Sequence, residues 1–183
     1  MIFTALGIIS GCRFDYAMNY KEFLKFDIDL SSVGFAPLYD NQPYFCTPEG
    51  AQIIGCAGVD GIHYCTIPEL GETVFAVSPM ECAPDYVHPI ARTFGELLGL
   101  LLACGDMAAI EQAWMWDKAQ FWAFVKDNPP TSEQEQCLDK LRALGIAPAD
   151  QPWEYMFTLR SEFDYSGIRY TDEYYDLTGE PRP

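Results

Sequence analysis

Between Phe26 and Ala91 the chain has no lysine and no arginine, yet Asp27, Asp29, Asp40, Glu49, Asp60, Glu69, Glu72, Glu81 and Asp85 all fall in that stretch. An acidic field of this kind attracts and steers a basic macromolecule and repels phosphate backbones, which favours a protein partner over nucleic acid. Other absences narrow the class. No run of eighteen uninterrupted apolar residues occurs, so no membrane-spanning helix is expected. Gly50, Gly55, Gly58 and Gly61 are scattered through turns, with no Lys-Ser or Lys-Thr ending and no helix directly after them, so they do not make a phosphate-binding loop. The aromatics lack interleaved Arg and Lys and so form no stacking platform for nucleic acid bases.

What is present is the composition of a globular protein. The 183 residues are 49% hydrophobic and 15% aromatic, enough to bury a sizeable core, and one domain is expected over residues 1–183. The net charge of -16 opposes adhesion to anionic membranes and nucleic acid. Cys12, Cys46, Cys56, Cys65, Cys82, Cys104 and Cys137 make an odd count spread through apolar segments, which is not a disulfide framework. They read as reduced core cysteines, and a cytoplasmic setting is expected. Ile9-Ser10-Gly11-Cys12 resembles a lipoprotein cleavage box, but no basic residue precedes the short apolar run Met1–Ser10, which reads instead as a buried strand.

Along the chain, Tyr20–Phe26 is a short mixed segment and Asp27–Asp40 is irregular, with one short strand. From Tyr44 the pattern becomes a β-meander. Tyr44–Cys46, Ala51–Cys56, Ile62–Ile67 and Thr73–Val77 are the strands, joined by a Pro48-Glu49-Gly50 turn, an Asp60-Gly61 hairpin turn and a turn at Gly71. Pro79, Pro84 and Pro89 punctuate a loop that ends at Ala91. Helices follow. Thr93 and Glu96 form a capping box before a stripe of Phe94, Leu97, Leu98, Leu101 and Leu102. Gly105 closes that helix, Asp106 opens the next, and Asp117 opens a third that stops before Asn128-Pro129-Pro130. Ser132 and Glu135 cap a last helix, closed by Gly145. From about residue 148 the chain is an acidic, tyrosine-rich extension with Trp153, Tyr155, Phe157, Leu159 and Phe163 as core candidates and Asp172–Asp176 as a surface segment.

Few residues offer catalytic chemistry. His63 and His88 are the two histidines, and His63 and Cys65 share one side of a strand because side chains alternate. No second closely spaced Cys or His pair completes a zinc site, and no cysteine stands at a helix start beside a basic residue, so neither a metal nor a cofactor is expected. No spacing singles out a carboxylate pair.

Val33–Leu38, Tyr44–Cys46, Ile53–Gly55, Asp60–Cys65, Val74–Pro79, Tyr86–Ala91 and Phe94–Leu98 together resemble the SUKH superfamily, bacterial proteins related to fungal cell-wall-synthesis regulators. The resemblance continues through Trp116–Phe124 and spans roughly residues 33 to 125, while the N-terminal helices common in that superfamily are represented at best by Asn19–Leu24. It implies an α+β fold with a central, largely antiparallel sheet covered by helices on one side, and a non-enzymatic immunity protein that neutralises a toxin. Charge and resemblance converge on a basic protein partner, a toxin domain, met by Glu49, Asp60, Glu69, Glu72 and Asp85 at the turn edges of the sheet. A regulatory or scaffold protein on a housekeeping partner is the alternative. A small hydrolase using His63, Cys65 or His88 is a third.

Overall fold

Four short runs rich in β-branched, aromatic and small apolar residues pair into one sheet. A computed structural model describes residues 18–38 and 43–182. Within them β1 (Gln52–Cys56), β2 (His63–Thr66), β3 (Val74–Val77) and β4 (Val87–Ala91) lie in the order β1-β2-β3-β4, each neighbouring pair antiparallel. Helices α1 (Tyr20–Phe23), α2 (Phe94–Cys104), α3 (Met107–Glu111), α4 (Lys118–Asp127), α5 (Ser132–Ala143), α6 (Pro152–Glu162) and α7 (Asp172–Thr178) complete an α+β fold. The expected strand at Met1–Ser10, the Ile9–Cys12 box and Asp40 lie outside the described residues. No helix among the described residues is long and apolar enough to cross a membrane.

Local chemistry explains most of these elements. Asp60 and Gly61 take φ of 53° and 71°, the pair of left-handed residues that a two-residue hairpin turn needs to match strand twist. Thr93 Oγ1 accepts from the Glu96 amide, Asp106 from Ala108, and Asp117 from Gln120, each satisfying a donor left over at a helix start. Gly105 closes α2 at φ 84°, where a Cβ would meet the Pro130 ring at 2.6 Å.

Alternation along the strands builds two apolar clusters. Ile54, Tyr64, Val74, Ala76 and Ile90 face α2, α3, α5 and α6, where Leu97, Leu101, Ile110, Leu138 and Met156 are buried. Cys65, Phe75, Val77 and Val87 face the other way, and their cover is Cys46, Tyr86, the C-terminal Phe163, Ile168 and Tyr170, and Tyr174 of α7. Residues beyond 148 thus contribute to both clusters.

Six expectations are corrected. Tyr44–Cys46 is not a strand but a tight turn, in which the Tyr44 amide donates to Thr47 Oγ1 and the Thr47 amide to the Tyr44 carbonyl. Val87–Ala91 is strand, not loop. Pro89 is tolerated because β4 is an edge strand, where a missing amide can face away from the ladder. The cap of α5 is Thr131 with Gln134, one residue earlier than Ser132 and Glu135. It is not the last helix, since α6 and α7 follow; Phe157 on α6 is 51% exposed, whereas Tyr174 within Asp172–Asp176 is 4% exposed.

Candidate functional site

Glu49, Asp60, Glu69, Glu72 and Asp85 are all exposed, and the sheet topology divides them. Cys56, His63, Val77 and Val87 form the row at one end of the sheet, and Gln52, Thr66, Val74 and Ala91 the row at the other. Asp60, in the β1–β2 turn, and Asp85, in the β3–β4 loop, leave from the first end together with Glu81. Glu69 and Glu72, between β2 and β3, and Glu49, just before β1, lie at the second, where a Cβ on Gly50 would come within 3.8 Å of Glu69 Oε2. Strands of four or five residues separate the two groups by roughly 13–16 Å. That exceeds the screening length of about 8 Å at physiological salt, so each end acts on a ligand largely by itself.

Among the described residues no ion pair compensates these charges. The ion pairs among the described residues use Arg92 with Glu162, Lys118 with Glu154, Arg142 with Glu135 and Asp139, and Arg182 with Asp172 and Asp176. None involves an acid between Asp27 and Asp85.

Two clefts open at the Asp60–Asp85 end. The first, about 410 Å³, is lined by Tyr44, Ile53, Cys56, Asp60 and His63 among others. His63 Nδ1 lies 2.9 Å from the Gly61 carbonyl and therefore carries the proton; Nε2, 3.0 Å from Thr47 Oγ1, accepts from that hydroxyl. Its ring stacks on Tyr44 at 5.7 Å, and burial pulls its pKa down, keeping it neutral. Cys65 is fully buried and burial pushes its thiol up to about 12, far from the thiolate a nucleophile needs. Among the described residues no three His, Cys, Asp or Glu side chains gather where they could hold a metal ion.

The second cleft, about 450 Å³, lies between the β3–β4 loop and the C-terminal segment. Asp85, Val87, His88, Tyr165, Tyr170 and Tyr174 line it, with Pro84 and Ile168. Tyr170 and Tyr174 stack at 4.0 Å with their planes 11° apart. His88 Nε2 donates to the Asp85 carbonyl at 3.0 Å, and the ring stacks on Trp114 at 4.3 Å; burial lowers its pKa to about 4. This places Asp60 and Asp85 at the mouths of separate clefts on one end. The tyrosine walls were not foreseen as part of a site; the aromatic density of residues 165–175 was the available signal, but nothing local ties it to residues 84–88.

Behind the sheet end stands Glu111, buried on α3, with no hydrogen bond or ion pair among the described residues. Burial first, then the neighbouring Glu81 charge, raises its pKa to about 7. On α6, Tyr155 donates to Glu96 Oε2 at 2.6 Å and accepts from the Arg92 amide at 2.8 Å, a fully engaged network that ties α6 to α2 and the end of β4. Comparison with protein-family models, with curated proteins and with solved structures finds no match to this chain.

Proposed function

We propose that this chain is a protein-binding module that holds a basic partner against the Asp60–Asp85 end of its sheet, and that the partner is a toxin domain it neutralises. The observation that carries the reading is the run of exposed, unpaired acids on a rigid meander: with no base from Phe26 to Ala91, and no ion pair reaching those acids from elsewhere among the described residues, their field is directed at solvent and at a cationic ligand. The SUKH resemblance supplies the toxin, and its segments fall on β1 to β4, on α2 and α4, and on the chain before β1. The state of His63 and Cys65 supports binding over catalysis, because a histidine with both nitrogens engaged and an inaccessible, protonated thiol have no free reactive atom.

Affinity capture from a lysate of the source cells tests this. A basic, toxin-like protein should be retained at low salt, released at high salt, and lost on an Asp60→Asn/Asp85→Lys variant. Asparagine is the substitution at position 60, because it tolerates φ near 53° better than lysine. Each change should cost no more than about 0.5 kcal/mol of stability. Retention of a housekeeping protein would point to regulation instead, and unchanged capture by the variant would remove the acidic end from the account.

A further inference from the structure

The tyrosine-lined cleft has a chemistry distinct from the acidic end in general. Its lining combines three tyrosines, an aspartate and a buried histidine with apolar Val87 and Ile168, and includes no lysine or arginine. A wall of electron-rich phenol rings with a single carboxylate suits a cation: ring faces attract positive charge, the carboxylate orients it, and the apolar floor accepts an aliphatic stem. At about 450 Å³ the volume lies in the range of sites that enclose a ligand group. Asp85 and Tyr165 line the same cleft, and the Asp85 charge reaches the Tyr165 hydroxyl as the weakest influence on it. Arg160, on α6, acts on Tyr165 more strongly than Asp85 does, and acts on His88, but is not among the lining residues, and no acid pairs with it among the described residues. Tyr165 is 42% exposed, packed edge-on against Phe163 at 5.1 Å, and therefore stands at the entrance rather than in the core.

We propose that this cleft between Asp85 and Tyr165, Tyr170 and Tyr174 receives an arginine side chain of the basic partner, as the anchor of the interface. The inference rests on the binding function proposed above and adds the residue type recognised. Arginine fits better than lysine because its planar, weakly hydrated guanidinium stacks on aromatic rings as well as pairing with a carboxylate.

Calorimetric titration with hexa-arginine and with hexa-lysine separates this from the acidic field alone. The wild-type protein should bind hexa-arginine about fivefold more tightly than hexa-lysine, Tyr165→Leu should abolish that preference, and Tyr165→Phe, which keeps the ring, should preserve it. Equal affinity for the two peptides in the wild type, or a preference that survives Tyr165→Leu, would overturn the cleft proposal while leaving the acidic-end function standing. Binding of neither peptide would count against both.

Discussion

Glu111 shows what a buried carboxyl with no hydrogen bond or ion pair among the described residues does to this fold. Its pKa near 7 in the folded state exceeds the 4.5 expected when it is exposed, so the folded protein binds the extra proton between those values and stability falls as pH rises through them. The loss is on the order of 2 to 3 kcal/mol by about pH 8. His88 has the opposite sign: its folded pKa of about 4 lies below the exposed 6.5, so its contribution grows as pH rises from 4 to 6.5. In Glu111→Gln the first component disappears. Urea unfolding at about pH 5 and pH 8 should show the variant gaining on the wild type at the higher pH, and an equal difference at both would contradict the burial assigned to this carboxyl.

The strands and helices were legible in the sequence where their signals were local. Asp60-Gly61, Gly105, Asp106 and Asp117 each act within a few residues, and each sits where the chain pattern predicts. β4 was not legible, because Pro89 reads as a breaker until the topology shows an edge strand. At α5, Thr131 and Ser132 are both good caps, and Gln134 serves the box as well as Glu135 would; only the backbone turn decides between them. The C-terminal segment looked like an appendage because its partners are distant: Tyr174 lies edge-on to Tyr86 at 6.0 Å, and Phe163 edge-on to Phe75 at 5.3 Å. Covering the second face of the sheet makes this segment structural. Tyr174→Ala should therefore cost about 3 kcal/mol, seen as a lowered denaturation midpoint, and a change below about 0.5 kcal/mol would show that the segment does not hold that face.

At the scale of the whole molecule, the charge is sorted along the chain and then again in space. The paired bases and acids lie on α4, α5, α6 and α7 or, as Arg92 and Arg182, beside a helix, while Glu49, Asp60, Glu69, Glu72, Glu81 and Asp85 leave from the two ends of the meander. The sequence announces the acidic stretch; it cannot announce that antiparallel pairing sends Asp60, Glu81 and Asp85 one way and Glu49, Glu69 and Glu72 the other. A cleft of about 460 Å³ also opens at the Glu72 end, but Lys21 lines it beside Glu72, whereas the clefts beside Asp60 and Asp85 include no lysine or arginine; that distinguishes the two ends chemically. Titrating the captured basic partner into two variants tests this distinction most directly, one with Asp60→Asn, Glu81→Gln and Asp85→Asn, the other with Glu49→Gln, Glu69→Gln and Glu72→Gln. Each removes three charges, so any general field effect is equal. The first variant should bind about tenfold or more weakly and the second within about twofold of the wild type; equal losses in both, or a larger loss in the second, would contradict binding at the Asp60–Asp85 end.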